Sequence, residues 1–277
     1  MGMEQENRRL ENYVNPANWR LGASISLNNW DAGLVEIRQY RDAGIKEIEL
    51  AWRNDMFDMF DPINEARCGA WIEEVRSLHM NVWSLHLPFG PLFDVSEPDA
   101  AASEAIIARH ARLMKLAHNW NIRTVILHPS WEPITDEERP SRIEACRNAL
   151  AALAEAAHPL GITIAVECLP RTCLGNHAAE MKELIALDER IGICCDVNHL
   201  FKEAPERFIG ELGQRIVTVH MSDNDGVDEC HWVPGKGVIN WTAVIQELSA
   251  SGYAGPFLFE VRHAVPSELQ ECWSKLQ

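Results

Sequence analysis

The sequence predicts a single α/β domain folded as a (β/α)8 barrel, and three observations support this. Short apolar runs alternate with amphipathic segments along the 277 residues, and such alternation requires parallel strands with right-handed crossovers. No Ser-, Gly- or Pro-rich linker divides the chain, and a closed barrel needs roughly 250 residues. Polar residues end nearly every strand and no GxGxxG follows the first, which disfavours the alternative of a doubly wound sheet.

Runs of β-branched and aliphatic residues give the predicted strands. They are 21–27, 45–52, 80–88, 123–129, 162–169, 191–197, 215–222 and 255–262. Runs that are apolar on both faces are typical of parallel strands covered by helices. In the fifth and sixth strands the small residues Ala165 and Cys194 share a face with the terminal acids Glu167 and Asp196. Small side chains suit the narrow interior of an eight-stranded barrel.

Segments with apolar residues three and four positions apart are the predicted helices, and several end in Gly or Asn. They are 33–44, 66–79, 102–120, 142–158, 177–188, 241–252 and 267–276. No helix is predicted between the sixth and seventh strands. The barrel is expected over residues 19–277, after an N-terminal extension of residues 1–18.

Composition narrows the classes of partner. The net charge of −16 argues against the basic surface that a phosphate backbone requires, so nucleic acid is not an expected partner. Nowhere do about 18 apolar residues run together, so a membrane is not expected either. The eight cysteines form no CxxC pair and are interpreted as reduced thiols. With no leader-like start, these features predict a soluble cytoplasmic protein.

The residues that end the strands carry the functional signal. In chain order they are Asn28, Glu49, His86, His128, Glu167, Asp196, His220 and Glu260. The carboxyl ends of barrel strands meet at one face, where chemistry is placed. Burying several like charges there without a cation would be too costly, so the last four predict a divalent-metal site. Carboxylates with an imidazole suit Mn²⁺, Mg²⁺, Co²⁺ or Zn²⁺, and ligand hardness favours Mn²⁺.

Several motifs resemble one known family across the whole chain. They are AVECLP, CDVNHL, VHMSDNDG followed by HWVPGKGVINW, and FLFEVR. The family is the sugar isomerase and epimerase superfamily with a xylose isomerase-like TIM barrel, which also contains the endonuclease IV type apurinic endonucleases. The resemblance implies one metal ion held by Glu167, Asp196, His220 and Glu260, with His199 close to the substrate. In the epimerase branch the two metal-bound glutamates also act as acid and base.

The expected activity is therefore isomerisation or epimerisation of a sugar or sugar phosphate. A metal would stabilise an enediolate while Glu167 and Glu260 move the proton next to the carbonyl. Further residues expected to bind substrate are His199, His128, His86, Glu49, His231 and Arg262. Glu49 could instead hydrogen-bond an adjacent strand end. Families of this kind are commonly dimers or tetramers, so a homo-oligomer is compatible with the resemblance.

The sequence also allows other functions. The endonuclease branch uses extra histidines, and His86, His128, His199 and His231 occupy similar places. Against that function, CLPRTCLG replaces a glycine-rich segment after the fifth strand, and Glu229-Cys230 replaces an aspartate and a basic residue. A lyase of the keto-inositol dehydratase type would use the same metal site and the same enediolate chemistry. A barrel that binds a metabolite without turnover is the third class, and the intact ligand set argues against it.

Overall fold

All eight predicted strands are present, and all are parallel. The computed structural model describes residues 12–26, 30–52, 58 and 60–277. The strands are β1 Leu21–Ser26, β2 Glu47–Ala51, β3 Asn81–His86, β4 Thr124–Leu127, β5 Thr163–Glu167, β6 Gly192–Asp196, β7 Ile216–His220 and β8 Phe257–Phe259. Their order in the sheet is β7-β6-β5-β4-β3-β2-β1-β8, so β1 to β7 lie beside their neighbours in sequence and β8 pairs with β1. The predicted (β/α)8 barrel is confirmed.

The barrel closes between its last two strands through a short junction, the β7–β8 seam. A single parallel bridge joins Met221 to Phe259. Met221 N donates to Leu258 O at 2.8 Å, and Glu260 N donates to Met221 O at 3.3 Å. Every other neighbouring pair shares at least three registered residue pairs, as β5 and β6 do. The seam is therefore held by fewer backbone hydrogen bonds than the rest of the sheet.

The strands are shorter than predicted, and this changes where some polar residues lie. Glu49 was expected at the end of the second strand but lies in the middle of β2, two residues before its end. Arg262 was expected on the strand face that carries Glu260, but β8 stops at Phe259, so both residues lie beyond the strand and the alternation argument does not apply. Asn28, the predicted end of the first strand, lies outside the described residues.

Eight α-helices are present in the described part of the chain. They are α1 Trp30–Asp42, α2 Pro62–Ser77, α3 Ala100–Asn119, α4 Arg139–Ala157, α5 Ala178–Leu184, α6 Pro205–Leu212, α7 Trp241–Ser251 and α8 Pro266–Leu276. Helix α6 was not predicted, although its sequence carries signals of a helix. Its signals are Pro205 at the first position and buried Phe208, Ile209 and Leu212 on one face.

The core has two parts. The larger part packs the outer face of the sheet against the helices, and the smaller lies inside the barrel and consists of Ile126, Ala165 and Cys194 with partly buried Val217. The predicted small residues of β5 and β6 therefore do line the narrow interior. Trp83 also crosses this interior, since its Nε1 donates to Thr218 Oγ1 at 3.1 Å. Residues inside the barrel thus contact each other between strands that are not neighbours.

All eight cysteines fall within the described ranges and are unpaired, as expected for thiols. Among the helices that the structure describes, none is long and apolar enough to cross a membrane. The described end of the predicted extension packs on the barrel, because Val14 N donates to Ser249 O at 3.0 Å. The boundary between extension and barrel stays a prediction.

Candidate active site

Four predicted ligands meet at the carboxyl end of the barrel. Glu167, Asp196 and His220 are the last residues of β5, β6 and β7, and Glu260 follows β8 directly. One ligand atom from each lies within 4.8 Å of the others. His220 Nδ1 lies 3.3 Å from Glu167 Oε1 and 3.5 Å from Glu260 Oε2. These residues are called the central cluster below.

The central cluster fits a divalent cation. Asp196 Oδ2 and Glu260 Oε2 are buried, and neither accepts a hydrogen bond from the part of the chain that the structure describes. No lysine or arginine within those ranges forms an ion pair with Glu167, Asp196 or Glu260. Two buried carboxylates and a partly buried one, without a fixed cation, are costly unless a metal or protons compensate their charge. Glu167, Asp196, Glu260 and His220 offer the hard oxygens and imidazole that such an ion takes.

Burial and neighbouring charges give the acids of the central cluster different pKa values. Burial, together with the charges of Asp196 and Glu167, raises the pKa of Glu260 to about 7, and His220 opposes this rise. The pKa of Asp196 is also raised, first by burial. Burial opposes ionisation of Glu167 as well, but the charges and hydrogen bonds of His128 and His220 outweigh it and lower its pKa well below the usual value. The pair Glu167 and Glu260 is thus electrostatically asymmetric.

Two histidines flank Glu167 on its other side. His86 Nε2 and His128 Nε2 each lie 3.1 Å from Glu167 Oε2. The second nitrogen of His86, Nδ1, lies 2.9 Å from Leu87 O, so both ring nitrogens of His86 have partners. Half-exposed Phe89 stacks on His128 with ring centroids 4.5 Å apart. These contacts fix the carboxylate of Glu167 and leave His128 partly open to solvent.

A second group, the outer cluster, contains His199, Glu229 and His231, whose ligand atoms also lie within 4.8 Å of one another. His199 follows Asp196 in a short 3-10 helix. Its Nε2 lies 2.9 Å from Glu229 Oε2, and its Nδ1 lies 3.0 Å from Cys168 O. His231 Nδ1 lies 3.1 Å from the backbone oxygen of Glu260. The outer cluster is therefore continuous with the central cluster.

Arg171 ties the loops around this end of the barrel. Its Nε donates to Glu132 Oε1 at 3.0 Å, its Nη1 to Asp228 Oδ1 at 3.1 Å and its Nη2 to Glu229 Oε1 at 2.9 Å. These contacts link the loops that follow β4, β5 and β7. Sequence reasoning did not assign Glu229 or Glu132 to the site. The available signal was the position of Glu229, two residues before His231.

Asp223 joins the two sequence motifs that follow β7. This buried carboxylate accepts hydrogen bonds from Gly235 N, Ile239 N and Trp241 Nε1, at 2.8, 3.1 and 2.8 Å. A side chain at Gly237 could not fit, because its Cβ would lie 2.4 Å from Asp223 Oδ1. The segments VHMSDNDG and PGKGVINW therefore fold as one unit, and this unit positions the loop that carries Glu229 and His231.

Two predicted substrate residues have unexpected surroundings. Glu49 has no exposed surface, its Oε2 accepts a hydrogen bond from Ser84 Oγ at 2.8 Å, and its Oε1 lies 2.9 Å from His220 Nε2. Ser84 lies within the adjacent strand β3 and His220 ends the distant strand β7, so neither partner is the adjacent strand end that the sequence suggested. Arg262 is exposed, and its backbone N donates to His231 O at 2.9 Å.

Comparisons with known proteins agree with this architecture. A family model described as a xylose isomerase-like TIM barrel matches residues 37–274. An uncharacterised protein of Methanocaldococcus jannaschii is 31% identical over 211 residues, 72% of this chain and 71% of that relative. An inosose isomerase of Halalkalibacterium halodurans is 29% identical over 238 residues, 78% of this chain and 82% of that relative.

Solved structures show the same fold at lower identity. A D-tagatose 3-epimerase-like protein has a TM-score of 0.77 at 21% identity, with 92% of this chain and 96% of that chain covered. The family match runs from within α1 to within α8. It therefore includes every residue of both clusters and all the strands except β1. The chain belongs to the xylose isomerase-like TIM-barrel family.

Proposed function

We propose that the protein is a divalent-metal-dependent isomerase or epimerase of a sugar or sugar phosphate. The observation that carries the proposal is the central cluster, where two buried carboxylate oxygens lack a hydrogen-bond partner within the described chain. The inosose isomerase relative supports a carbonyl-bearing polyol as the substrate class. The metal is held by Glu167, Asp196, His220 and Glu260, with Mn²⁺ the first choice because three of the four ligands are carboxylates.

The proposed chemistry is proton transfer at a carbon next to a carbonyl. A divalent cation, when bound, supplies the Lewis acidity that makes this proton removable. One of the two carboxylates Glu167 and Glu260 takes the proton, and the other returns a proton from the opposite face of the substrate when the centre is inverted. When one carboxylate does both, and the proton returns to the neighbouring carbon, the result is an isomerisation. His86 and His128 hold Glu167 Oε2, while His199 and His231 bound the substrate side.

The test combines metal analysis with proton exchange. Purified protein is analysed for bound metal, then incubated in deuterated water with Mn²⁺ and a panel of free ketoses, phosphorylated ketoses and keto-inositols. Exchange of the α-proton is followed by NMR. We expect about one metal per chain and exchange into one substrate class. Absence of exchange across the panel, with metal bound, would contradict the proposal.

A second candidate is phosphodiester hydrolysis of the endonuclease IV type. The observation in its favour is that three groups can each hold an ion: the central cluster, the outer cluster, and His86, His128 and Glu167 together. The net charge of −16 disfavours it. Metal analysis separates the two functions, since this one expects two or three zinc ions per chain and cleavage of an oligonucleotide at an abasic site.

A further inference from the structure

Glu49 is a buried carboxylate that the proposed proton transfer does not use. It lies in the middle of β2 and has no exposed surface. Ser84 Oγ donates to its Oε2 at 2.8 Å. Its Oε1 lies 2.9 Å from His220 Nε2, within ion-pair distance but outside the geometry of an N–H···O hydrogen bond, and neither atom has a hydrogen bond to any residue that the structure describes. The pair Glu49 and His220 is therefore shielded from solvent.

The two ring nitrogens of His220 face different partners. Nδ1 lies 3.3, 3.5 and 3.9 Å from oxygens of Glu167, Glu260 and Asp196. Nε2 faces Glu49. The ring itself stacks on His86, with centroids 5.8 Å apart and planes 14° apart, and it has no exposed surface. Packing therefore holds the imidazole in one orientation.

The chemistry of imidazole connects these two sides. A neutral imidazole has one N–H donor and one acceptor lone pair, and the hydrogen bond at one nitrogen decides which form is present. With the proton on Nε2, beside the Glu49 carboxylate, the lone pair of Nδ1 points at the place where Glu167, Asp196 and Glu260 converge. A carboxylate behind a metal-binding histidine fixes its tautomer and raises its basicity.

We propose that Glu49 is a positioning residue, which acts through His220 on the divalent metal and does not contact substrate. The proposal rests on the metal-dependent function proposed above. Glu49 sets the Nε2 proton of His220 and so presents Nδ1 as a ligand, and Ser84 in turn holds the Glu49 carboxylate. Glu49 thus strengthens metal binding without being one of the ligands.

The test measures metal affinity directly. Mn²⁺ is titrated into metal-free protein, and the free ion is quantified by electron paramagnetic resonance. We expect Glu49→Gln to weaken Mn²⁺ binding by about 10- to 100-fold. We also expect a changed visible absorption spectrum of the Co²⁺-loaded protein, because this spectrum reports the ligand field and a purely structural role would leave it unchanged.

The matched control is Glu47→Gln, the same substitution two residues earlier on β2, where Glu47 contacts Arg20 and Asn81. It should keep wild-type Mn²⁺ affinity and the wild-type Co²⁺ spectrum. Should Glu49→Gln fold poorly, Ser84→Ala provides a milder change that removes the hydrogen bond to Glu49 Oε2. It should weaken Mn²⁺ binding in the same direction but by less.

Unchanged Mn²⁺ affinity in folded Glu49→Gln, or in Ser84→Ala where the first variant does not fold, would overturn the positioning role and leave the proposed function standing. An equal loss of affinity in Glu47→Gln would overturn it too, since the effect would then be general to β2. If wild-type protein binds neither Mn²⁺, Co²⁺ nor Zn²⁺, the proposed function and this inference both fall.

Discussion

Carboxylates at the two ends of the barrel have different side-chain partners. Where the strands begin, Glu47 Oε1 accepts a hydrogen bond from Arg20 Nη1 at 2.6 Å, and its Oε2 accepts one from Asn81 Nδ2 at 2.7 Å. Where the strands finish, the three acids of the central cluster have no lysine or arginine beside them within the described ranges. The chain supplies its own cation at one end, and at the other end the proposed metal ion would supply the positive charge.

This difference suggests that one end of the barrel contributes to stability and the other to function. A buried acid that is paired and hydrogen-bonded contributes to a finished structure, whereas buried acids without a fixed cation are tolerated where binding a ligand compensates them. The end with Glu47 should therefore matter for folding alone. The end with the central cluster should matter for metal binding and turnover.

The largest expected effect is on turnover. Glu167→Gln and Glu260→Gln should each reduce α-proton exchange by at least about 100-fold, because positioned proton transfer contributes 10²- to 10⁴-fold. The measurement is NMR in deuterated water with the substrate found in the screen. Glu47→Gln is the control at the other end of the barrel and should keep its exchange rate. Near-full activity in either site variant would contradict the assigned roles.

Metal binding should stabilise the folded protein only through the central cluster. Mn²⁺ at 100 times its dissociation constant should add about 2.7 kcal/mol to the free energy of unfolding. The measurement is the melting temperature with and without Mn²⁺. Asp196→Asn should abolish the increase, because Asp196 Oδ2 is one of the oxygens without a partner in the described chain. A full increase in this variant would place the metal elsewhere.

Arg20→Met should break the pairing at the opposite end. It leaves the Glu47 carboxylate buried with Asn81 as its remaining partner, and we expect a loss of about 2 kcal/mol in the free energy of unfolding. Urea denaturation measures this loss. The increase in melting temperature on adding Mn²⁺ should stay at its wild-type size. If that increase disappears as well, the two ends are coupled and the comparison fails.

The smallest expected effect concerns a histidine outside both ends. His110 of α3 is buried with its Nε2 2.9 Å from Phe93 O, and burial lowers its pKa to about 4. The unfolded chain protonates this histidine below about pH 6.5 while the folded chain does not, so stability falls as the pH drops from about 6.5 toward 4. The expected loss is about 1 kcal/mol per pH unit in that window.

His110→Gln should remove this part of the pH dependence of the free energy of unfolding, measured by urea denaturation between pH 6.5 and 5. The matched control is His158→Gln at an exposed position, which should keep the wild-type dependence. Parallel curves for His110→Gln and wild type would show that burial of His110 does not drive the loss.

The sequence predicted the barrel and the convergence of its strand ends for a physical reason. Buried parallel strands are continuous apolar runs, so the polar residue that ends each run is visible, and barrel geometry brings these ends together. Glu167, Asp196 and His220 were found in this way. The depth of Glu49 was missed because the apolar run does not show where β2 pairs with its neighbours.

Loop residues were harder to find. Glu229 and Arg171 lie in segments without periodicity, and their role depends on ion pairs between loops that are 58 residues apart in sequence. Helix α6 was missed although Pro205 and the apolar face of Phe208, Ile209 and Leu212 indicate a helix. Arg262 was misplaced because the strand before it ends at Phe259, three residues earlier than the alternation suggested.

The β7–β8 seam gives the two proposed proton-transfer residues different freedom of movement. Glu167 ends a strand that is hydrogen-bonded to β4 on one side and β6 on the other. Glu260 follows the three-residue β8, and its backbone N donates across the seam to Met221 O. Local opening favours regions with few backbone hydrogen bonds, so we expect the backbone at Glu260 to open more readily than the backbone at Glu167.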